Sequence, residues 1–196
     1  MENKTNTWKL KEIILAAMIC IVFGVVYLAG VYLASMIAGV LTPFGLSPLG
    51  NELVFGVWFM AATLSGYILQ KPGAAIVSEV IASVIEVLLG NWFGPLVIVA
   101  GIIQGAGAEL AFAAGRYRKF DGLVMYLAAA GACVTSFCWS FIRSGYGKFS
   151  VSFLVMLFVV RLASSLLFSG LVCKAAGDGL AKMGLLKGYG LGKNHA

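Results

Sequence analysis

Two glutamates interrupt an otherwise apolar stretch of the sequence, SEVIASVIEVLLGNWFGP, at residues 78–95. Glu79 and Glu86 are seven residues apart, and seven residues at about 100° each make about two full turns of an α-helix, so the two carboxylates share one face. A charged side chain near the centre of a bilayer costs on the order of a few kcal/mol, and such residues normally face the protein interior and serve a function. The spacing therefore predicts an acidic face that attracts cations.

Further polar and aromatic side chains are predicted to lie near these acids. Counted at about 1.5 Å per residue from the outer helix ends, back from Gly90 and forward from Pro95, Glu79 lies about 17 Å deep and Gln104 about 14 Å, so the two are nearly level. The same half of the predicted bundle holds three indoles, those of Trp58, Trp92 and Trp139, and Glu109 lies somewhat deeper. Carboxylates and indole faces attract cations, and an amide can read the polar edge of a heterocycle. A small, flat, cationic or amino-bearing ring fits this set best.

These residues also have simpler interpretations. A tryptophan near a helix end is typical of an anchor at the membrane interface. Glu79 and Glu86 could instead form a buried pair with Arg161 or with protonated partners, and Glu109 and Arg161 could simply neutralise each other.

The composition predicts the elements that position these side chains. Of the 196 residues, 61% are hydrophobic and 11% charged, and the mean hydropathy is +0.97, which is typical of a membrane protein. We predict an all-α bundle of six transmembrane helices in a single domain over 1–196, with a short cytoplasmic tail at 175–196. The first run is expected to be a retained span rather than a signal peptide. The predicted spans cover 13–41, 53–70, 73–90, 95–115, 123–142 and 150–174.

Basic residues predict the orientation of the bundle. The net charge is +6 and the pI about 9.2, and eleven of the fourteen lysines and arginines fall before span one, after span six or in the two loops on that side. The positive-inside rule then predicts that both termini are cytoplasmic. Because these residues are scattered over four segments, a nucleic-acid partner is poorly supported.

The sequence lacks the residues that several types of reaction require. His195, beside the C-terminus, is the single histidine of the sequence, the four cysteines include no C-x-x-C pair, and no phosphate-binding G-x-x-x-x-G-K-[ST] motif occurs. Metal sites, a Ser-His-Asp triad and ATP hydrolysis by this chain are therefore not expected, and no cofactor is predicted.

Two further segments have predicted roles. The connection LTPFGLSPLGNE, at 41–52, is long and apolar for a turn and could cover an outward-opening site as a lid. Small residues recur every four positions in span one, at Ala16, Cys20 and Gly24. Such a stripe lets another helix approach closely, either inside the bundle or from a second membrane subunit.

Four motifs resemble one family of membrane proteins. WFMAA (58–62), KPGAAIVSE (71–79), EVLLGNWFGP (86–95) and above all QGAGAEL (104–110) are similar to the substrate-binding S components of energy-coupling factor (ECF) transporters, of the YkoE type assigned to thiamin or its hydroxymethylpyrimidine precursor. The resemblance covers nearly the whole chain.

The resemblance implies a vitamin-capture subunit in the plasma membrane of a prokaryote. Such a subunit would associate with a transmembrane T component and two cytosolic ATP-binding subunits, with Ala16, Cys20 and Gly24 at the position of the family's docking stripe. Thiamin carries a positive thiazolium and an aminopyrimidine, which fits the ligand chemistry predicted above. The candidate ligand contacts are Glu79, Glu86, Gln104 and Glu109 for polar recognition, Trp58, Trp92, Trp139, Tyr27 and Tyr32 for stacking, and Asn91 beside them.

Two other functions remain open from the sequence. A self-sufficient secondary carrier would exchange a proton at one of the buried acids and would need no partner. An intramembrane enzyme would use two carboxylates as acid and base and would form a product.

Overall fold

The computed structural model describes residues 8–118 and 120–193, and within these the ordered elements are all helical. The α-helices are α1 (Leu10–Leu41), α2 (Leu49–Val54), α3 (Met60–Leu69), α4 (Ala74–Leu88), α5 (Leu96–Ala114), α6 (Gly122–Arg143), α7 (Val151–Ser165), α8 (Cys173–Lys182) and α9 (Gly190–Lys193). Short 3-10 turns cover Thr42–Phe44, Phe55–Phe59 and Tyr146–Lys148, and a π-helical segment covers Leu166–Val172. The all-α prediction is confirmed. His195 and Lys4 lie outside the described residues.

Within residues 8–118 and 120–193, five helical stretches are long and apolar enough to cross a membrane. They are Leu10–Phe44, Leu49–Leu69, Leu96–Ala114, Gly122–Arg143 and Val151–Lys182. The predicted third span corresponds to α4, which has 15 residues and is therefore about 22 Å long, shorter than the roughly 30 Å of a typical hydrocarbon core. The prediction of six spans is thus not confirmed.

The connections lie at two ends of the bundle. We call the end with 70–73, 115–118, 120–121 and the described residues 8 and 193 the terminal end, where Lys71 forms an ion pair with Glu12 at 2.6 Å. The end with 42–48, 89–95 and 144–150 is the distal end, where the Arg143 guanidinium donates to the Phe93 carbonyl at 3.0 Å.

Two predicted boundaries are corrected. The predicted loop at 41–52 is shorter, because α2 already begins at Leu49 and the connection is reduced to 42–48. The predicted tail at 175–196 is helical as far as Lys182, and Gly190 in α9 approaches the Leu69 carbonyl so closely that an added Cβ would lie 2.8 Å from it.

The small-residue stripe of α1 faces α4. Ala16 and Cys20 are 5% and 0% exposed, Gly24 is buried as well, and the Cys20 thiol donates to the Ser78 carbonyl at 3.4 Å. An added Cβ on Gly24 would lie 2.5 Å from the Ile85 side chain. The stripe therefore packs inside the bundle, which is the first of its two alternatives, and this burial counts against a contact of these three residues with a second membrane subunit.

Alanine and glycine bring the remaining helices close together. Ala61, Ala75, Ala108 and Ala128 are fully buried, so backbones approach without large side chains between them. In contrast, long apolar side chains of α1 such as Met18 and Met36 are 60% and 70% exposed. This arrangement suits a bundle whose outer surface contacts lipid rather than water.

Candidate ligand-binding site

A cavity of about 150 Å³ lies toward the distal end, between the second span and α4, α5, α6 and α7. Its wall combines aromatic rings with a small number of polar groups, as is typical of small-molecule sites. The lining residues include Asn51, Phe55, Trp58, Ser83, Glu86, Phe93, Gln104, Trp139, Ser140, Arg143, Tyr146 and Arg161.

Glu86 is the acid of this cavity whose bonding is incomplete. Its carboxylate is 1% exposed, and Oε1 accepts a hydrogen bond from the Asn91 amide at 2.6 Å. Asn91 is itself held in place, because its Oδ1 accepts from the Phe93 N–H at 2.6 Å. The Trp58 indole interacts with the carboxyl, but within the described chain Oε2 has no hydrogen-bond partner of normal geometry. A buried acceptor without a donor is unusual, and it leaves a place for a ligand donor or cation.

Arg161 contributes a second charge to the wall, and that charge is balanced. Its guanidinium is fully buried and donates from Nε to Glu52 Oε2 at 2.5 Å and from Nη2 to Glu52 Oε1 at 2.6 Å. It also donates to Ser136 and Ser140, at 3.2 and 3.0 Å. The alternative in which Arg161 pairs with Glu79, Glu86 or Glu109 is therefore wrong, because Glu52 holds the guanidinium in a two-pronged ion pair.

Two rings complete this network. The centroid of the Phe55 ring lies 3.7 Å from the guanidinium carbon of Arg161, in cation–π geometry. The Tyr146 hydroxyl, on the 144–150 connection, donates to Glu52. Burial and the neighbouring Glu52 carboxylate raise the pKa of Tyr146 above its usual value, so the phenol remains a donor.

Glu79 and Tyr27 lie outside the cavity lining and bind the backbone of α3 instead. Glu79 is fully buried, and its Oε2 accepts from the Tyr27 hydroxyl at 2.8 Å and from the Ala62 N–H at 2.9 Å. The same Tyr27 oxygen accepts from the Ala61 N–H at 2.9 Å.

Glu109 lies at the terminal end, where it caps α4. Its carboxylate accepts from the N–H groups of Gly73, Ala75 and Ile76, at 2.7, 2.9 and 3.3 Å, which places a negative charge at the positive end of the helix dipole. The Tyr117 hydroxyl donates to it as well, at 2.7 Å. Gly73 precedes the helix with φ +83°, a conformation that glycine adopts without strain.

Trp92 and Tyr32 form a separate aromatic pair at the distal end. Their rings meet edge to face with centroids 4.9 Å apart, and the two side chains are 53% and 50% exposed. Neither belongs to the cavity lining, and their exposure is typical of residues at a membrane interface.

The structure thus brings together one part of the predicted set. Glu86, Gln104, Trp58 and Trp139 line the cavity, and Asn91 lies directly behind Glu86. Glu79, Glu109, Tyr27, Tyr32 and Trp92 lie elsewhere among the described residues. Their contact with a ligand, like that of the cavity residues, stays a prediction.

The sequence does not indicate the roles of Glu52 and Tyr146. Glu52 ends the predicted 41–52 connection, at the membrane surface, so its position does not suggest a pairing with an arginine deep in a helix. The available signal was charge balance, because a buried arginine requires a buried acid. No group of three or more histidine, cysteine or acidic side chains that could hold a metal occurs within residues 8–118 and 120–193.

Three comparisons place the chain among known proteins. The family model described as "ABC-type cobalt transport system, permease component" matches residues 11–135. The chain is 44% identical over 188 residues to the "Putative HMP/thiamine permease protein YkoE" of Bacillus subtilis (strain 168), covering 96% of this chain and 92% of that protein. A solved structure described as "Crystal structure of an S-component of ECF transporter" has 43% sequence identity and a TM-score of 0.90, over 96% of this chain and 93% of the other.

Proposed function

Because this chain belongs to the family of ECF-transporter S components of the YkoE type, we propose that it captures thiamin or hydroxymethylpyrimidine in the distal cavity. The chain is a multi-pass membrane protein and a transporter subunit rather than an enzyme. The name of the Bacillus subtilis relative refers to both ligands, and the chemistry of this cavity suits the ring that they share.

The observation that carries the proposal is the incompletely bonded carboxylate of Glu86 in the cavity wall. Apart from the interaction with the Trp58 indole, its Oε2 has no hydrogen bond of normal geometry in the described chain, and a buried polar group without one costs about 1–3 kcal/mol. A ligand that brings an amino N–H or a positive charge to this oxygen relieves that cost. Hydrogen bonds to an ionised carboxylate are also about twice as strong as neutral ones.

The charges nearest Glu86 leave its carboxylate able to bind a donor or a cation. Arg161 is neutralised by Glu52, so it does not offset Glu86, and Arg143 lies in the lining at the distal end, where it donates to the Phe93 carbonyl. An aminopyrimidine N–H and a thiazolium are both suitable partners for the Glu86 carboxylate.

The size of the cavity fits one ring better than two. The cavity has a volume of about 150 Å³, and cavities of about this volume in other proteins hold a single benzene-sized ring. We therefore infer that the aminopyrimidine enters the cavity, with Trp58 and Trp139 as stacking partners and Gln104 for the polar edge. The thiazolium of thiamin would then extend toward the distal end.

The proposal includes an orientation and partners. The distal end would face outward and the terminal end the cytoplasm, because the described basic residues Lys9, Lys11, Lys71, Arg116 and Arg118 lie at the terminal end. Release inside would require a transmembrane T component and two ATP-binding subunits.

Titration of the purified chain in nanodiscs with thiamin, and separately with hydroxymethylpyrimidine, tests the proposal. Saturable quenching of tryptophan fluorescence is expected for at least one ligand, with the ligand recovered unchanged. No binding of either ligand would refute it. Uptake of the ligand into liposomes that contain this chain alone, driven by a pH gradient, would favour a secondary carrier. Conversion of the recovered ligand to a new product would favour an enzyme.

A further inference from the structure

The second span is irregular where it passes the cavity. Between α2 and α3, the 3-10 turn Phe55–Phe59 is bounded by Val54 with φ −112° and ψ 4° and by Phe59 with φ −113° and ψ −2°. These angles lie near the bridge region, which is sparsely populated. The turn carries Phe55 and Trp58, both of which line the cavity.

Such a break exposes backbone donors inside the bundle. The first N–H groups of a helix have no partner within it, and α3 begins at Met60, far from water. Ala61 and Ala62 are both fully buried, so unpaired N–H groups there would be costly. Tyr27 and Glu79 supply the missing acceptors from α1 and α4, at 2.9 Å each.

The other side of the turn is held by the last span. The Gly56 N–H donates to Ser164 Oγ at 3.0 Å, and the Gly56 carbonyl accepts from Ser169 Oγ at 2.6 Å. An added Cβ on Gly56 would lie 2.2 Å from the Ser164 carbonyl oxygen, so only glycine allows this approach. The turn is therefore fixed at two points.

We propose that Tyr27 and Glu79 are positioning residues, which fix the start of α3 and so hold Trp58 in the cavity wall beside Glu86. The inference rests on the proposed function in taking the cavity as the ligand site. It assigns Glu79 a role that does not require contact with ligand. Tyr27 lies one helical turn before Gly30, at which an added Cβ would be 3.7 Å from the Trp58 ring, so α1 supports both the cap and the indole.

The two acceptors differ in how they tolerate substitution. Glu79 Oε1 has no partner in the described chain, so a Glu79→Gln side chain can offer its oxygen to Tyr27 and Ala62 and leave its amide at the open position. Tyr27→Phe, in contrast, removes the acceptor for Ala61 and one donor for Glu79. A positioning role thus predicts a large effect for Tyr27→Phe and a small one for Glu79→Gln.

A chain with Trp8, Trp92 and Trp139 replaced by phenylalanine reports on Trp58 alone. Its fluorescence and acrylamide quenching are measured without ligand in nanodiscs, and thiamin affinity is measured by calorimetry in the chain that retains all its tryptophans. Tyr67→Phe is the matched control, because Tyr67 is also buried and its hydroxyl, on α3, donates to Asp178 at 2.5 Å rather than to the start of the helix.

Tyr27→Phe is expected to increase quenching of Trp58 and to weaken thiamin binding about tenfold, the scale of one lost buried hydrogen bond. Glu79→Gln and Tyr67→Phe are expected to leave the quenching of Trp58 and the thiamin affinity within about threefold of the parent chain. On a free-energy scale, threefold is roughly half of the tenfold effect expected for Tyr27→Phe. If Tyr27→Phe does not fold, Glu79→Met removes the Ala62 acceptor and should show the same two changes.

Two outcomes would overturn the proposal. One is a loss of affinity in Glu79→Gln as large as in Glu86→Gln with Trp58 unchanged, which would make Glu79 a ligand contact. The other is a lower unfolding temperature in Tyr27→Phe with quenching and affinity unchanged. If the parent chain does not bind thiamin, the proposed function fails separately, and the ligand-free quenching of Trp58 still decides the positioning role.

Discussion

Glu79 and Glu86 lie on one face of one helix, seven residues apart, yet their surroundings differ. Glu79 accepts from the Tyr27 phenol and a backbone N–H of α3, whereas Glu86 accepts from the Asn91 side chain and faces a cavity. Each carboxylate has one oxygen without a hydrogen bond of normal geometry among the described residues. Only that of Glu86 belongs to a residue of the cavity wall.

The difference shows that a shared helix face does not imply a shared function. The face of α4 is fixed by its periodicity, but the neighbour at each level is fixed by the other helices. Beside Glu79, the interrupted second span has the backbone N–H of Ala62, which donates to the carboxylate. Two helical turns farther toward the distal end, beside Glu86, the same span has the Trp58 indole and borders the cavity.

Glu52 is a third buried acid, and its partner is the charged guanidinium of Arg161. Replacement of Glu52 should therefore have the largest effect on stability. Removal of one member of a buried ion pair leaves the other uncompensated, which typically costs about 3–5 kcal/mol. Glu52→Ala is therefore expected to lower the free energy of unfolding by that amount, measured by denaturant titration in detergent. The double variant Glu52→Met with Arg161→Met should recover most of it. Equal stability of Glu52→Ala and the parent would contradict the pairing.

Glu86→Gln should separate affinity from stability. Loss of a charge-assisted contact typically costs about 1–3 kcal/mol, so thiamin binding should weaken by about that amount, measured by calorimetry. Folding should be unaffected or slightly improved, because the variant removes a buried charge whose bonding is incomplete. A fall in stability with unchanged affinity would give Glu86 the structural role here assigned to Glu79.

Asn91→Ala tests whether the position of Glu86 matters as well as its charge. The variant removes the donor to Oε1 and the acceptor of the Phe93 N–H, so we expect a loss of about 0.5–1.5 kcal/mol in thiamin binding. In a chain that already carries Glu86→Gln, the same change should have a smaller effect, since coupled residues are not additive. Strict additivity of the two variants would show that Asn91 acts independently of Glu86.

Glu79→Gln should have the smallest effect of the series. Its oxygen can still accept from Tyr27 and Ala62, so we expect thiamin affinity to change by less than about threefold, or about 0.7 kcal/mol, which lies at the low end of the usual net value of one hydrogen bond. The measurement is the same calorimetric titration, with Glu86→Gln run in parallel. Equal losses in the two variants would remove the distinction between the acids.

The sequence anticipated much of the fold and part of the site. Apolar runs of about 20 residues predicted membrane helices, and the boundaries of α4, α5 and α6 differ from prediction by only a few residues. Counting residues along predicted helices brought Glu86, Gln104 and Trp139 to the same half of the bundle, and these do line the cavity.

What the sequence did not indicate depends on tertiary contacts. The break at Phe55–Phe59 contains no proline that would announce it, so the donors that bind Glu79 and Tyr27 were not predicted. The predicted 41–52 connection includes Glu52, because nothing local in the sequence shows that α2 begins before it. Glu109 lies at a depth that suggested ligand binding, but the adjacent turn at 70–73 brings the start of α4 to it.

The π-helical segment Leu166–Val172 has a consequence for the register of the last span. A π turn contains an additional residue, so it rotates everything that follows by about 100° relative to an uninterrupted α-helix. Cys173 and Gly177 are buried with the segment present, and an added Cβ on Gly177 would lie 2.7 Å from the Tyr67 ring. Deletion of a single residue between 166 and 172 would therefore act as a rotation, turning this narrow face of α8 away from α3 while leaving the length of the span almost unchanged.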